Sequence, residues 1–273
     1  MNLQESAKRA AIQLAEGGIP DATFEAEVLA RTATGATRSQ YYAGIEADDA
    51  AAARLQRLIE RRLRREPSAY LVGTREFFGL NFEVTPAVLI PRPETELLVE
   101  IGLAELRRHP SSVVLDVGTG SGCIAVALAS NAPNATVVAT DVSPAALAVA
   151  RRNAARYGAE VTFACGHLAS AFAGADIILA NLPYIPSPVV ETLEPEVRDW
   201  EPRCALDGGT DGLALIAPLI SDCASRIRPA LLAMEVQDGQ AAQVAALATA
   251  HEATVQVAKD YSGIDRVVCA RWQ

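Results

Sequence analysis

The segment that most constrains the fold is a glycine-rich loop at residues 118–122, GTGSG, which lies between two apolar runs. The first run, SSVVLDV, has the composition of a buried strand, and the second, GCIAVALAS, has that of a helix. Closely spaced glycines allow a tight turn in which a ligand can approach the backbone. The loop therefore predicts an α/β domain with a ligand site at the carboxyl end of this strand.

Beyond the loop, strand-like segments alternate with helix-like segments. The strand-like segment ATVVATD comes first and is followed by the helix-like segment SPAALAVARRNAARYG. The strand-like segments ADIILAN and PALLAMEV come later in the chain. This alternation predicts a doubly wound, mostly parallel sheet with helices on both faces. The last two strand-like segments, TVQVAKD and DRVVCARW, are separated by few residues and predict an antiparallel C-terminal edge.

The front of the chain has a helical pattern. Apolar residues recur there at three-to-four spacing, as at Phe24, Val28 and Leu29, which predicts a small all-α domain over residues 1–72. Residues 73–90 contain FFGLNFEVTP, whose alternation predicts a β-hairpin linker. The α/β domain then takes up residues 91–273.

Charge is distributed unevenly along the chain. The formal net charge of −9 argues against a protein whose main role is to bind nucleic acid. Residues 1–75 hold 11 Lys/Arg against 10 Asp/Glu, whereas residues 76–273 hold 13 against 23. The arginines from Arg54 to Arg65 therefore have two interpretations, as the solvated face of an amphipathic helix or as a docking patch for an acidic partner or RNA.

Composition also bears on compartment and cofactors. No apolar run approaches the ~20 residues of a membrane span, and the start, MNLQESAKRA, lacks the pattern of a secretory signal. The five cysteines form no CxxC pair, and the three histidines are isolated. We therefore expect a cytoplasmic protein with reduced thiols, no metal and no membrane association.

Two carboxylates end successive predicted strands. Asp116 precedes the glycine loop, and Asp141 ends the next strand, where a carboxylate can accept both ribose hydroxyls of an adenosine. The spacing is GxGxG and not the GxGxxG of many dinucleotide enzymes, although an NAD enzyme remains the main competitor. The alternative role of the two carboxylates is helix or turn capping. Together these features resemble the class I S-adenosylmethionine-dependent methyltransferases.

A second motif, NLPY, follows the strand-like segment ADIILA. A polar residue at the carboxyl end of a parallel strand faces the ligand crevice, and the alternative is a strand that ends in a proline turn. The motif resembles the NPPY of methyltransferases that act on planar nitrogen. Leu182 stands where that motif has proline; because Pro183 disfavours helical geometry at the preceding residue, we expect Leu182 to stay extended.

Several further blocks, in the same order, resemble the bacterial HemK/PrmC family of peptide chain release factor glutamine-N(5) methyltransferases. They are YLVGTREFFGLNFEV, VLIPRPETELLVE, EPEVRDWEPRCALDGGTDGLALI, AMEVQDGQAAQV and SGIDRVVCARW. The resemblance implies a class I methyltransferase fold, S-adenosylmethionine as cofactor, and methyl transfer to the GGQ glutamine of class I release factors. It also implies that the N-terminal helical domain recognises the release factor. We expect a monomer with no direct nucleic-acid contact.

Residue roles are implied by the same resemblance. Residues for cofactor binding are Gly118, Thr119, Gly120, Ser121, Gly122, Asp141, Leu168 and Asn181. Catalytic roles fall on Asn181, Pro183 and Tyr184, and substrate binding on Asn181, Leu182, Pro183, Tyr184, Arg92 and Glu94. For Arg92 and Glu94 the alternative is a plain helix start. The chain departs from the family at Leu168, where a bulky aromatic is common, and at Gln237, which replaces a glycine.

Three alternative functions stay open. A glutamine methyltransferase for a ribosomal protein shares NPPY, although the RPETE block favours the release factor. A DNA adenine methyltransferase needs a basic cleft and a target-recognition domain, for which this acidic chain offers no obvious candidate. A non-catalytic protein that only binds the methyl donor is disfavoured by the intact Asn181, Pro183 and Tyr184.

Overall fold

A computed structural model describes residues 2–170 and 172–272. The chain divides into two compact units. Unit 1 comprises Met1–Thr74 and Glu194–Trp200, and unit 2 comprises Arg75–Leu193 and Glu201–Gln273. The three-part division at residues 72 and 90 stays a prediction from the sequence.

Unit 1 is helical. Its helices are α1 (Leu3–Glu16), α2 (Ala22–Thr34), α3 (Arg38–Tyr42), α4 (Asp49–Leu63) and α5 (Ser68–Val72), and Glu194–Trp200 contributes the short helix Pro195–Arg198. Side chains cap several of these helices: the Asp48 carboxylate accepts the Ala51 N–H at 2.6 Å, and Asn2 caps α1 in the same way. The apolar faces of α1, α2 and α4 form one core, in which Leu14 and Leu29 are fully buried.

Arginines in α4 and just after it form ion pairs with carboxylates of unit 1. Arg62 is only 4% exposed, and its guanidinium lies 3.3 Å from Glu25 and 2.9 Å from Glu196. Arg65 also reaches Glu196, at 3.1 Å, and Arg61 is paired with Glu66. These arginines therefore hold unit 1 together, a role that neither the solvated-face nor the docking-patch interpretation anticipated.

Unit 2 is built on a twisted mixed sheet. Its strands are β3 (Val113–Val117), β4 (Thr136–Asp141), β5 (Val161–Cys165), β6 (Ile177–Ala180), β7 (Leu231–Glu235), β8 (Thr254–Lys259) and β9 (Asp265–Arg271). They run in the order β5-β4-β3-β6-β7-β9-β8. Neighbours from β5 to β7 are parallel, and β9 is antiparallel to both β7 and β8. The predicted fold class, with its antiparallel C-terminal edge, is confirmed.

Helices cover both faces of this sheet. The longer ones are α6 (Glu96–Leu106), α7 (Cys123–Asn131), α8 (Pro144–Tyr157), α11 (Ile216–Asp222) and α12 (Ala241–Ala250). The short helices α9 (Ser187–Val190) and α10 (Pro195–Arg198, in unit 1) come between α8 and α11 in the chain. The two faces of the sheet contribute to separate apolar clusters, one with Val114 and Ile177, the other with Leu115 and Ile178. No helix in the described part of the chain combines the length and apolarity that a membrane crossing requires.

A β-hairpin precedes the sheet, as predicted. It consists of β1 (Thr74–Phe77) and β2 (Leu80–Glu83). Phe78 and Gly79 form its turn with φ of 51° and 73°, the left-handed pair that suits a two-residue hairpin loop. The Phe77 and Phe82 rings are buried in a core cluster of unit 2.

Candidate active site

A pocket opens at the carboxyl ends of β3, β4 and β6, the edge at which open α/β sheets bind their ligands. Its lining is drawn from the glycine loop, the Asp141 turn, the NLPY segment and the start of α6. The predicted residues in the lining are Arg92, Gly118, Thr119, Gly120, Ser121, Asp141, Leu168, Asn181, Leu182 and Pro183. The structure thus gathers segments that are far apart in sequence.

The glycine loop requires glycine at its ends. Gly118 and Gly122 have φ of +75° and +82°, in the left-handed region that L side chains rarely adopt. A Cβ at Gly122 would lie 3.0 Å from the Ala150 Cβ on α8, and one at Gly118 would lie 3.1 Å from a Leu182 methyl. The loop therefore lets α7 pack closely on α8 and brings the pocket floor against NLPY.

Asp116 supports the loop from below. It is fully buried, and its Oδ2 accepts the Thr119 hydroxyl at 2.6 Å and the Ala125 N–H at 3.2 Å. Burial raises its pKa to about 7, and Oδ1 has no hydrogen-bond partner within the described residues. Asp116 does not line the pocket. These contacts match the alternative role of Asp116, in which it caps a turn or a helix start and does not bind a ligand.

Asp141 lies on the pocket wall. Its carboxylate accepts the Gly120 N–H at 2.9 Å and the Ser143 N–H at 2.8 Å. These bonds fix the orientation of the carboxylate, and each oxygen retains capacity to accept a further hydrogen bond. Asp141 is therefore a preorganised acceptor at the edge of the pocket.

The loop after β5 places Leu168 in the pocket lining. Leu168 has φ of +50°, an uncommon conformation for a residue with a branched side chain. The Thr140 hydroxyl donates to its carbonyl at 3.3 Å, which ties the loop to β4. The Leu168 side chain packs against the core cluster that contains Leu182 and Leu213.

The NLPY segment follows β6 directly. The Asn181 Nδ2 donates to the Thr95 hydroxyl at 3.0 Å, and no bond to the Asn181 Oδ1 is found in the described residues. Leu182 is only 4% exposed and fills the space in front of Gly118. Leucine at this position therefore contributes to the core where proline would contribute backbone stiffness.

Tyr184 is not among the residues that line the pocket. Its hydroxyl donates to Glu235 Oε1 at 3.1 Å, and burial raises the pKa of Tyr184 above its usual range, with the Glu235 charge adding to the shift. Glu235 itself ends β7 and is 1% exposed. Burial raises the Glu235 pKa, whereas hydrogen bonds from Thr95 and Tyr184 and the charge of Arg266 act in the opposite direction.

The backbone of NLPY is held by a second glycine-rich loop, DGGTDG, residues 207–212. The Gly208 N–H donates to the Ile185 carbonyl at 2.8 Å, and the Ile185 N–H donates to Leu206 at 3.1 Å. The Gln240 side-chain amide donates to the carbonyls of Tyr184 at 3.4 Å and Gly212 at 3.2 Å. These contacts fix the position of the backbone around Tyr184.

Arg92 and Glu94 differ in their placement. Arg92 lines the pocket and forms an ion pair with the buried Glu201, which also accepts the Ile90 N–H at 3.1 Å. Glu94 is exposed, lies in the first turn before α6, and is absent from the pocket lining. Its placement matches the helix-start alternative.

Sequence reasoning missed Thr95, Glu235 and Gln240. Thr95 is 2% exposed and contacts Asn181, while the other two hold NLPY from β7 and the start of α12. Each lies within a block on which the family resemblance rests, RPETE or EVQDGQ. The resemblance therefore covered these three residues but assigned no role to them. Among residues 2–170 and 172–272 no group of three or more His, Cys, Asp or Glu could hold a metal ion.

The sheet order, the glycine loop after β3 and the acceptor at the end of β4 define unit 2 as a class I S-adenosylmethionine-dependent methyltransferase domain. A methyltransferase domain model matches residues 114–200. The fold is shared with a methyltransferase from Pyrococcus furiosus, with TM-score 0.53 and 20% identity over 71% of this chain and 89% of that one. The N-terminal domain of human METTL16 gives TM-score 0.52 and 15% identity over 72% and 77%.

Near full-length relatives identify the family. Release factor glutamine methyltransferase of Geobacter sulfurreducens is 44% identical over 94% of this chain and 92% of its own length. That of Moorella thermoacetica is 43% identical over 99% and 98%, and a PrmC N-terminal domain model matches residues 5–73. This chain belongs to the PrmC/HemK family of release factor glutamine methyltransferases, and it uses S-adenosylmethionine as its methyl donor.

Proposed function

We propose that this protein transfers a methyl group from S-adenosylmethionine to the side-chain amide nitrogen of the GGQ glutamine of class I peptide chain release factors. The observation that carries the proposal is the Asn181 carboxamide, which lines the pocket beside the glycine loop with its Nδ2 already bonded to Thr95. Relatives that match this chain over nearly its whole length are named release factor glutamine methyltransferases.

The pocket fits the methyl donor. Asp141 offers a fixed carboxylate for the ribose hydroxyls, the open space beside Gly120 leaves room for the methionine part, and Leu168 offers an apolar surface for the adenine. S-adenosylmethionine supplies an electrophilic methyl group on a sulfonium.

The NLPY segment offers hydrogen-bond acceptors that can orient the weakly nucleophilic nitrogen of the substrate amide. An amide nitrogen is a poor nucleophile because its lone pair is delocalised into the carbonyl. Asn181 Oδ1 and the Leu182 carbonyl, which accept no other hydrogen bond in the described residues, can accept the two N–H bonds of the substrate amide. These acceptors orient the nitrogen towards the methyl group. In the transfer the substrate nitrogen would form a bond to the methyl carbon while the carbon–sulfur bond of the donor breaks and a neutral thioether leaves with the bonding electrons. The nitrogen would then lose one proton, which is acidic once the nitrogen carries the methyl group, so no strong general base is required.

A methyl-mapping experiment tests the proposed function. The protein is incubated with the methyl donor and a class I release factor, and peptides are then analysed by mass spectrometry. We expect the mass of one methyl group on the GGQ glutamine and none on a release factor with glutamate at that position. Methyl on a ribosomal protein or on DNA adenine instead, with the release factor unmodified, would contradict the proposal.

The interaction partners follow from the same family membership. We assign recognition of the release factor to the helical residues 1–72, which overlap the PrmC N-terminal domain match, with no direct contact to nucleic acid. We propose that the protein acts in the cytoplasm, where a translation factor is available as substrate, and that it acts as a monomer. Light scattering after size-exclusion chromatography measures the oligomeric state directly.

Replacing Asp141 by alanine is expected to weaken donor binding about 10-fold to 100-fold, because hydrogen bonds to a charged group contribute about 1.5–3 kcal/mol. Isothermal titration with S-adenosylmethionine gives the Kd. Asp222→Ala is the matched control, because Asp222 pairs with Arg226 at the end of α11 and does not line the pocket. An unaltered Kd for Asp141→Ala would remove Asp141 from the donor site.

A further inference from the structure

A buried asparagine on α8 connects the β-hairpin to the glycine loop. Asn153 is 0% exposed, and its carboxamide forms three hydrogen bonds with backbone groups. Its Oδ1 accepts the Glu83 N–H at 2.7 Å, and its Nδ2 donates to the carbonyls of Glu83 at 3.0 Å and Ser121 at 2.8 Å. The oxygen and both N–H groups of one side chain are therefore used to join two segments that are far apart in sequence.

The orientation of this carboxamide follows from the groups around it. A backbone N–H only donates and a backbone carbonyl only accepts, so Oδ1 must face the Glu83 N–H and Nδ2 must face the two carbonyls. Glu83 is the last residue of β2, and it binds the carboxamide through its N–H and its carbonyl, as it would bind a neighbouring strand. The hairpin thus orients Asn153 with its second N–H directed at Ser121.

The Ser121 carbonyl depends on this bond because it lacks the partner that a helix would supply. In a regular α-helix the N–H four residues later, that of Ala125, binds such a carbonyl. The Ala125 N–H instead binds Asp116 Oδ2 at 3.2 Å, and α7 begins only at Cys123. Asp116 and Asn153 therefore satisfy both halves of the missing helical bond and keep Ser121 in the glycine loop, where it lines the pocket.

We propose that Asn153 is a positioning residue for the methyl donor, which holds the Ser121 peptide and with it the glycine loop in the shape that receives the methionine part. Asn153 does not itself line the pocket, so it acts through the loop. The inference rests on the proposed use of this pocket for S-adenosylmethionine. It also gives the hairpin a part in donor binding, since Glu83 orients the carboxamide.

A second contact between α8 and the hairpin provides a matched control. Tyr157 lies one helical turn after Asn153 on the same face of α8. Its hydroxyl accepts the Asn81 N–H at 2.7 Å and donates to the Asn81 carbonyl at 2.9 Å. Within the described residues Tyr157 forms no hydrogen bond with the glycine loop. Tyr157 therefore holds the hairpin on α8 without contacting the loop.

Asn153→Ala tests the inference, because alanine is favourable in a helix and leaves space for water at the freed backbone groups. We expect the donor Kd to rise about tenfold, since the loop loses a buried hydrogen bond, while kcat at saturating donor and the release-factor KM change less than about threefold. Tyr157→Phe keeps the ring contact with Phe82 and should keep the wild-type Kd. Titration, steady-state kinetics and melting temperatures are measured on each full-length variant.

Hydrogen exchange followed by mass spectrometry adds a readout that separates the loop from the rest of unit 2. In Asn153→Ala, peptides that cover residues 118–126 should exchange faster than in the wild type, while peptides of β6 and β7 should keep their rates. Asn153→Leu fills the space that alanine leaves but restores no hydrogen bond. It should show the same local change and the same rise in donor Kd.

The outcomes distinguish the two proposals. Wild-type protein that binds the donor but leaves the GGQ glutamine unmethylated overturns the proposed function, and the positioning inference is then decided by the donor Kd alone. An unaltered donor Kd in Asn153→Ala overturns the positioning inference. So does an equal rise in Kd for Tyr157→Phe, faster exchange of β6 and β7 together with the loop, or loss of folding in both Asn153 variants, because each of these shows a merely structural role.

Discussion

Replacing Asn181 by alanine is expected to lower kcat for glutamine methylation by about 10²-fold or more, the loss seen when one preorganised polar group is removed from a reaction site. The variant keeps the glycine loop and Asp141, whose contacts do not involve Asn181. Donor Kd should therefore change less than about twofold. Single-turnover methylation of a release factor gives the rate, and titration gives the Kd.

Asn134→Ala controls for the chemistry of the substitution, because Asn134 is exposed in the loop between α7 and β4 and does not line the pocket. It should retain wild-type kcat and donor Kd. Turnover by Asn181→Ala equal to that of Asn134→Ala would show that Asn181 does not orient the substrate amide. A parallel loss of donor binding would place Asn181 in the donor site instead.

Replacing Gly212 by alanine is expected to disrupt the substrate side of the pocket. Gly212 has φ of +79°, and a Cβ there would lie 2.2 Å from the Tyr184 carbonyl oxygen and 2.7 Å from the Gln240 amide. The NLPY backbone must therefore move, and a displacement of about 1 Å at a reacting group can cost 10²-fold in rate. We expect kcat to fall by at least about tenfold and stability to fall as well.

Gly239→Ala is a closely matched control for this variant. Gly239 has φ of +80°, and a Cβ there would meet nothing within 4 Å in the described part of the chain. Both substitutions carry the same left-handed backbone cost of about 1–2 kcal/mol, so melting temperatures should fall in both. Only Gly212→Ala should lose kcat beyond that. Equal kcat in the two variants would show that the Gly212 contact does not position NLPY.

The features that sequence alone predicts here are local. The strand before residues 118–122, the left-handed glycines and the proline after Leu182 each depend on a few neighbouring residues. Alternation of strands and helices then limits the topology, and the mixed sheet with its antiparallel edge is confirmed. The glycine loop and most of NLPY accordingly fall in one pocket.

The features that sequence did not predict depend on tertiary contacts. Thr95 lies 86 positions before Asn181, and a threonine in a helix start carries no local sign of a distant partner. Arg62 lies in an amphipathic pattern that predicts a solvent-exposed side chain. It is nevertheless buried, and its ion-pair partners Glu25 and Glu196 come from other segments of the chain. Pairings of this kind require the fold to be known.

The composition of unit 1 has a consequence for the order in which the protein matures. The acidic partner Glu196 belongs to a segment, Glu194–Trp200, that the ribosome makes only after residues 75–193. Until then Arg62 has Glu25 alone, and a buried arginine with an incomplete set of acceptors is costly. The helices of residues 1–74 are therefore synthesised before Glu196 and reach their final stability only when most of the methyltransferase domain has been synthesised. A fragment that ends at residue 74 lacks Glu196, and we expect it to be less stable than unit 1 in the full chain.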